Sequence, residues 1–246
     1  MPSMEEIYKS HSDRYDDLVR HEDYQKNLTH WLLSSIEWAG RTVVEAGAGT
    51  GRVTEIYAPL AKFVTCFDRS EHMLQAARIR LKPYMSKMSF AVAENLDLPE
   101  LPQPRNVFIE GWSFGHTVID IARPIADLTE MLLRSACRNL SKDADVFIIE
   151  TLGTNTSSPK APAKRLYDFY ATLERKWGFV LKILSTEYLF PTFQDAARSM
   201  GFFFGKEMKE SILSVQQAIV PEWTGVWYSK IGKGPLSRLM ESDKRK

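Results

Sequence analysis

The sequence predicts an α/β protein built on a largely parallel sheet with helices on both faces. Three observations carry that class. From residue 41 onward, short β-branched runs alternate with longer segments of helical spacing; the runs are continuously apolar; and a glycine-rich turn follows the first of them. Such alternation is that of βαβ units, whose crossover helices cover the sheet. Strands buried on both faces read as unbroken apolar runs.

Before the first strand, Tyr8, Tyr15, Leu18, Tyr24, Leu28 and Trp31 recur at helical spacing. They predict helices near the mouth of the sheet, serving either as edge packing or as a lid. The first strand is "TVVEA" (42 to 46), and Val53, Ile56, Tyr57 and Leu60 give the following helix an apolar stripe. "FVTCFD" (63 to 68) is the second strand. Ser70 is then a fitting N-cap for "EHMLQAARIRL", which Pro83 ends. "SFAVA" (89 to 93) and "NVFIE" (106 to 110) are the third and fourth strands. Pro124 can open a helix whose core-facing stripe is Ile125, Leu128, Leu132 and Leu140. "NLSKDAD" reads as the turn into a fifth strand, "DVFIIET" (145 to 151). Residues 153 to 163, "GTNTSSPKAPA", read as a mobile connection. A helix over 163 to 177, a strand within "FVLKILSTEYLF", a helix within "TFQDAARSM" and a last strand around "WTGVWYSKI" complete the chain, with "ESDKRK" as a frayed tail.

The chain has 246 residues, 44% of them hydrophobic, which suits one large core and a single domain spanning 1 to 246. Its 32 basic and 31 acidic residues leave a net charge of +1, so no strong field draws nucleic acid or an anionic membrane. Cys66 and Cys137 stand among apolar neighbours with no CxxC or Cys/His spacing, as reduced packing residues would. The polar, charged N-terminus is not a signal peptide, and no apolar run approaches the roughly 18 residues of a membrane span. A cytoplasmic protein is expected, and composition is silent on oligomeric state.

"VVEAGAGTGRVTE" (43 to 55) places Gly47, Gly49 and Gly51 between a buried strand and an amphipathic helix, where a ligand can approach the backbone. A dinucleotide fingerprint starting at Gly47 needs glycine where Arg52 stands, and one starting at Gly49 needs it where Thr54 stands. A P-loop needs Lys-Ser or Lys-Thr after the glycines, and neither follows. The remaining pattern, E-x-G-x-G-x-G with Glu45 at the strand end, resembles the first motif of the class I S-adenosylmethionine-dependent methyltransferases. Asp68 ends the second strand, and "AENLDLP" after the third resembles that family's adenine-binding segment. The resemblance runs from about Tyr8 to Ile149.

This resemblance implies a Rossmann-like, doubly wound, mostly parallel seven-stranded sheet with an antiparallel last strand, and N-terminal helices as a lid. It divides the chain into a lid (1 to 40), a cofactor-binding half (41 to 151) and a substrate-side half (152 to 240). S-adenosylmethionine is the implied cofactor and S-adenosylhomocysteine the product. The implied cofactor contacts are Tyr15, Glu45, Gly47, Ala48, Gly49, Thr50, Gly51, Asp68, Arg69, Met73, Glu94, Asn95, Leu96, Glu110, Gly111 and Trp112. Within that set Asp68 would accept the ribose hydroxyls or, alternatively, only cap the next helix. Glu94 would accept from the adenine amine, and Asn95 would offer its backbone N–H. Trp112 either faces the sulfonium or simply packs.

"EGWSFGH" (110 to 116) also fits the G-x-S-x-G elbow of serine hydrolases. That chemistry needs an acid and then a histidine after the serine. The histidines are His11, His21, His30, His72 and His116, so none lies beyond 116 and Ser113 lacks its base. Under the methyltransferase reading His116 is the candidate for steering or deprotonating the acceptor, with a merely structural histidine as the alternative. Without a basic patch, and with aromatic residues in the N-terminal helices and from Tyr167 to Phe204, a small, partly apolar methyl acceptor is expected and no metal is called for. A protein side-chain methyltransferase and a non-catalytic S-adenosylmethionine-binding subunit remain as alternatives.

Overall fold

The computed structural model describes residues 12–242. Tyr8 and His11 therefore lie outside the described residues, as do the last four positions of the expected tail. The first two helices are α1 (Ser12–Arg20) and α2 (Asn27–Ser35). Strand β1 (Thr42–Ala46) leads into α3 (Arg52–Tyr57), and β2 (Phe63–Asp68) into α4 (Glu71–Arg80) and a 3₁₀ turn at Lys82–Lys87. Then come β3 (Met88–Val92), β4 (Arg105–Gly111), α5 (Phe114–Asp120), α6 (Ile125–Cys137), β5 (Leu140–Thr154) and α7 (Lys164–Arg175). The last third holds β6 (Val180–Ser185), β7 (Tyr188–Leu189), α8 (Phe193–Phe204), α9 (Lys206–Val215), β8 (Ile219–Val220), β9 (Glu222–Lys230), a 3₁₀ turn at Ile231–Lys233 and α10 (Ser237–Ser242).

Seven strands form one sheet in the order β3-β2-β1-β4-β5-β9-β6, and β7 and β8 form a separate two-stranded ribbon. β1 to β5 pair parallel, whereas β9 runs antiparallel between β5 and β6. Strand order reverses between β1 and β4, and open α/β sheets bind ligands outside the carboxyl ends of the strands at such a switch.

Neighbouring residues of the central strands go to opposite faces, as period-2 geometry requires. Val43, Val107 and Phe147 join Leu28, Leu32, Trp38 and Tyr57 on one face. Val44, Phe108, Val146 and Ile148 join Leu128, Leu132, Phe169 and Trp227 on the other. A third cluster ties Leu18 of α1 to Tyr188, Phe190, Met200 and Phe203, so the first helix packs against the last third of the chain.

Several expectations are corrected. Helix α3 ends at Tyr57, leaving Leu60 past its end and 49% exposed. Leu140 belongs to β5 and not to the α6 stripe, because "LSKDAD" continues as extended strand instead of turning. "EGWSFGH" is not wholly a loop: Phe114 to His116 open α5. Tyr24 is exposed rather than packed, and Tyr167, at the start of the aromatic segment expected beside the acceptor, is exposed and lines neither cavity at the carboxyl ends of the strands. Ser70 does cap α4, its hydroxyl accepting from the Met73 N–H at 3.3 Å. No helix of the described residues is long and apolar enough to cross a membrane.

Candidate active site

Two cavities meet at the carboxyl ends of the parallel strands. The first encloses about 610 Å³ of space, part of it open to solvent. It is walled by Tyr15, Gly47, Gly49, Asp68, Arg69, Ser70, Met73, Glu94, Asn95, Gly111, Trp112, Ser113, His116 and Thr117. The second, of about 780 Å³, is lined by Leu18, Glu22, Arg52, Thr151, Tyr188, Phe203, Glu222 and their neighbours. Tyr15, Trp112 and His116 line both.

The floor of the first cavity needs glycine. Gly47 has φ +64° and a Cβ there would overlap the Ser113 side chain; Gly49 has φ +54° and keeps its surroundings clear to 3.8 Å. The two glycines bring bare backbone to the cavity between β1 and the loop after β4, which is what a ligand held against main-chain atoms requires. Asp68, at the end of β2, accepts from the Gly49 N–H through Oδ2 and from the Ser70 N–H through Oδ1, each at 2.8 Å. Each oxygen retains a second lone pair for a ligand hydroxyl. Burial raises the Asp68 carboxyl above its usual range, and the two N–H groups oppose that.

The loop after β4 is fixed from below by two acids. Glu110 Oε1 accepts from the Ser113 and Phe114 N–H groups at 2.6 and 2.9 Å, while Glu150 accepts from the Gly115 N–H. The two carboxyls lie against each other, and burial, with each other's charge, pushes Glu110 well above the ordinary carboxyl range. Burial pushes Glu150 up as well. Two such groups share a proton more readily than both ionise. Gly115 is required here because a Cβ would stand 2.6 Å from a Glu150 oxygen.

Ser113 is no nucleophile in this setting. Its hydroxyl accepts from the Asn95 side-chain amide at 2.8 Å, and the same amide reaches the Thr117 hydroxyl at 3.1 Å. Asn95, expected to offer its backbone, thus also spends its side chain in joining the third-strand loop to α5. Trp112 takes φ +54° and carries the Arg52 guanidinium 4.1 Å over its ring, so a protein cation covers one aromatic face. Burial lowers the His116 imidazole below its usual value, Asp120 opposing and Arg69 adding to the effect. A neutral ring can accept a proton.

Of the residues expected from sequence, Tyr15, Gly47, Gly49, Asp68, Arg69, Met73, Glu94, Asn95, Gly111, Trp112 and His116 come together around the first cavity. Glu45, Ala48, Thr50, Gly51, Leu96 and Glu110 stand behind its wall instead. Glu45 turns into the protein, where Oε2 accepts from the Thr54 hydroxyl at 2.6 Å and from the Tyr57 hydroxyl. Burial lifts its carboxyl to about 7, against those two hydrogen bonds. Ala48 packs in the apolar cluster under β1, and Leu96 against the one on the opposite face. Gly51, at φ +82°, fits tightly beneath Leu81 at the start of α3. Ser70 and Thr117 are wall residues that the strand-end motifs did not single out, and the second cavity's Glu22, Arg52 and Glu222 gave no motif at all. Among the described residues, no group of three or more His, Cys, Asp or Glu could hold a metal ion.

Comparison with known proteins agrees with this geometry. Residues 43–133 match the family model described as a methyltransferase domain. Comparison with curated protein sequences gives no match. The fold is similar to a SAM-dependent methyltransferase from Aquifex aeolicus, with 15% identity over 90% of this chain and 97% of that one and a TM-score of 0.57. It is also similar to a putative methyltransferase from Bacillus halodurans, with 14% identity, 83% and 98% coverage and a TM-score of 0.58. Glycine floor, strand-end acids and sheet order belong to a Rossmann-like fold, within which residues 43–133 match a methyltransferase domain.

Proposed function

We propose that this protein transfers the methyl group of S-adenosylmethionine to a small, partly apolar acceptor by in-line displacement without a metal. The observation that carries this reading is that Tyr15, Trp112 and His116 line both cavities, so two ligands could meet there end to end. When bound, the cofactor supplies a methyl group on an already activated sulfonium. Asp68 and Glu94 are then the acceptors for its ribose and adenine, with Gly47, Gly49 and Gly111 offering backbone. The principal task left to the protein is alignment, an effect that can supply several kcal/mol.

His116, neutral and at the junction, is the residue for holding or removing an acceptor proton. Helices α1 and α2 act as the lid in this reading, since α1 brings Tyr15 to the wall. Incubating the protein with methyl-labelled S-adenosylmethionine and fractionated lysate tests the proposal. Label in a small-molecule fraction supports it, and label confined to a protein band replaces it with side-chain methylation. Cofactor binding without label in any fraction points to a non-catalytic subunit.

A further inference from the structure

The second cavity contains a charge imbalance that the transfer reaction does not explain. Its guanidinium, Arg52, is already taken: Nη1 and Nη2 donate to the two oxygens of Glu22 at 2.6 and 2.9 Å. Tyr188 also hydrogen-bonds that carboxylate. Glu222 has no such partner. It is 3% exposed, its Oε1 accepts from the Thr151 hydroxyl at 2.9 Å, and its buried Oε2 has no hydrogen-bond partner.

The position of Glu222 follows from a bulge. Between Thr151 and Thr154 the register of β5 against β9 shifts, so Thr154 pairs with Glu222 and both threonines flank its carboxyl. Bulges re-aim side chains at sheet ends in this way. Burial and the neighbouring Glu22 raise the Glu222 carboxyl above its usual range, opposed by the two threonines and Arg52. A buried polar oxygen without a partner is costly, and a ligand that supplies a donor removes that cost. Apart from His116 and the two threonines, the remaining wall is largely apolar: Leu18, Val19, Tyr188 and Phe203 are each less than 9% exposed.

We infer that the methyl acceptor is an apolar molecule carrying a protonated amine, and that Glu222 Oε2 receives that amine in the cavity between α1, α8 and β9. The inference rests on the methyltransferase reading and names its substrate class. An ammonium provides a hydrogen for Oε2 and the positive charge that would hold Glu222 ionised in this buried position, since Glu22 and Arg52 already neutralise each other. A neutral donor would leave the charge uncompensated, and an anionic ligand would face two carboxyls.

The test uses the whole protein saturated with S-adenosylhomocysteine. Calorimetry compares 2-phenylethylamine and tryptamine with their alcohol counterparts, 2-phenylethanol and tryptophol. The amines should bind at least about tenfold more tightly, the scale of one charge-assisted hydrogen bond. Glu222→Gln should erase that preference while leaving S-adenosylhomocysteine affinity unchanged. Alcohols binding as well as amines to the unaltered protein, no binding by either amine, or a preference that survives in Glu222→Gln would overturn the inference. The unaltered protein decides the matter even if the variant fails to fold. Absence of S-adenosylhomocysteine binding would instead overturn the methyltransferase reading on which this one stands.

Discussion

At the scale of single residues, Asp68 braces the turn before α4 and also lines the first cavity. Its oxygens accept from the Ser70 and Gly49 N–H groups, so the glycine loop is braced as well. Asp68→Ala should therefore weaken S-adenosylhomocysteine binding by about 1.5–3 kcal/mol and also lower the melting temperature. Calorimetry and thermal unfolding on the one variant check this; a lower melting temperature with unchanged affinity would leave Asp68 as a cap alone. His116 makes the second prediction. His116→Ala should cut turnover by roughly 10²-fold with cofactor affinity nearly unchanged, and Ser113→Ala should cost little by comparison, since its hydroxyl serves the Asn95 amide. Steady-state kinetics on both variants checks it, and the opposite ranking would return the nucleophile role to Ser113.

Elements explain why these residues sit where they do. Helix α1 is held over the site by Leu18 in the third cluster, by the ion pair of Asp16 with Arg80 of α4, and by the edge-on contact of Tyr15 with Phe203 at 6.4 Å. Its contacts with the sheet's own core are few, which is the condition for local opening at less than the global cost. Saturating S-adenosylhomocysteine should slow hydrogen exchange over residues 12 to 30 more than over α7, and equal protection in the two regions would remove the lid role. The start of α5 is the opposite case. Three of its backbone N–H groups are spent on Glu110 and Glu150, so Trp112 and His116 are presented by a rigid turn.

For the whole molecule, the buried acids set the response to pH. Glu45 titrates at about 7 in the fold against 4.5 ordinarily. The native state thus holds a proton that the unfolded chain has lost between those values, and stability falls as pH rises through this window. Glu110, Glu150 and Glu222 are raised as well and act with the same sign, while His116, lowered, acts with the opposite one. Glu45→Gln should flatten the decline in melting temperature between about pH 5 and 7, removing up to about 3 kcal/mol of pH-dependent stability. Thermal melts of both proteins across that range check it, and identical slopes would show that Glu45 does not carry the effect.

The sequence by itself determined the local features whose causes are local. β1 and β2 are bounded as their apolar runs predict, and Ser70 caps as its position predicts. Strand-end acids were legible because parallel strands carry their carboxyl ends to one side. Only the tertiary structure decided which of those acids lines the cavity: Asp68 does, whereas Glu45 turns toward Thr54 and Tyr57 because α3 packs across that end of β1. The Glu110–Glu150 pair joins residues 40 positions apart on adjacent strands, and Glu222 meets Thr151 across an antiparallel pairing with a bulge. Pairing register and bulges place side chains by contacts distant in the chain, so no local pattern announces them, and the cavity that Glu222 faces exists only once the last third of the sequence has folded against the first helix.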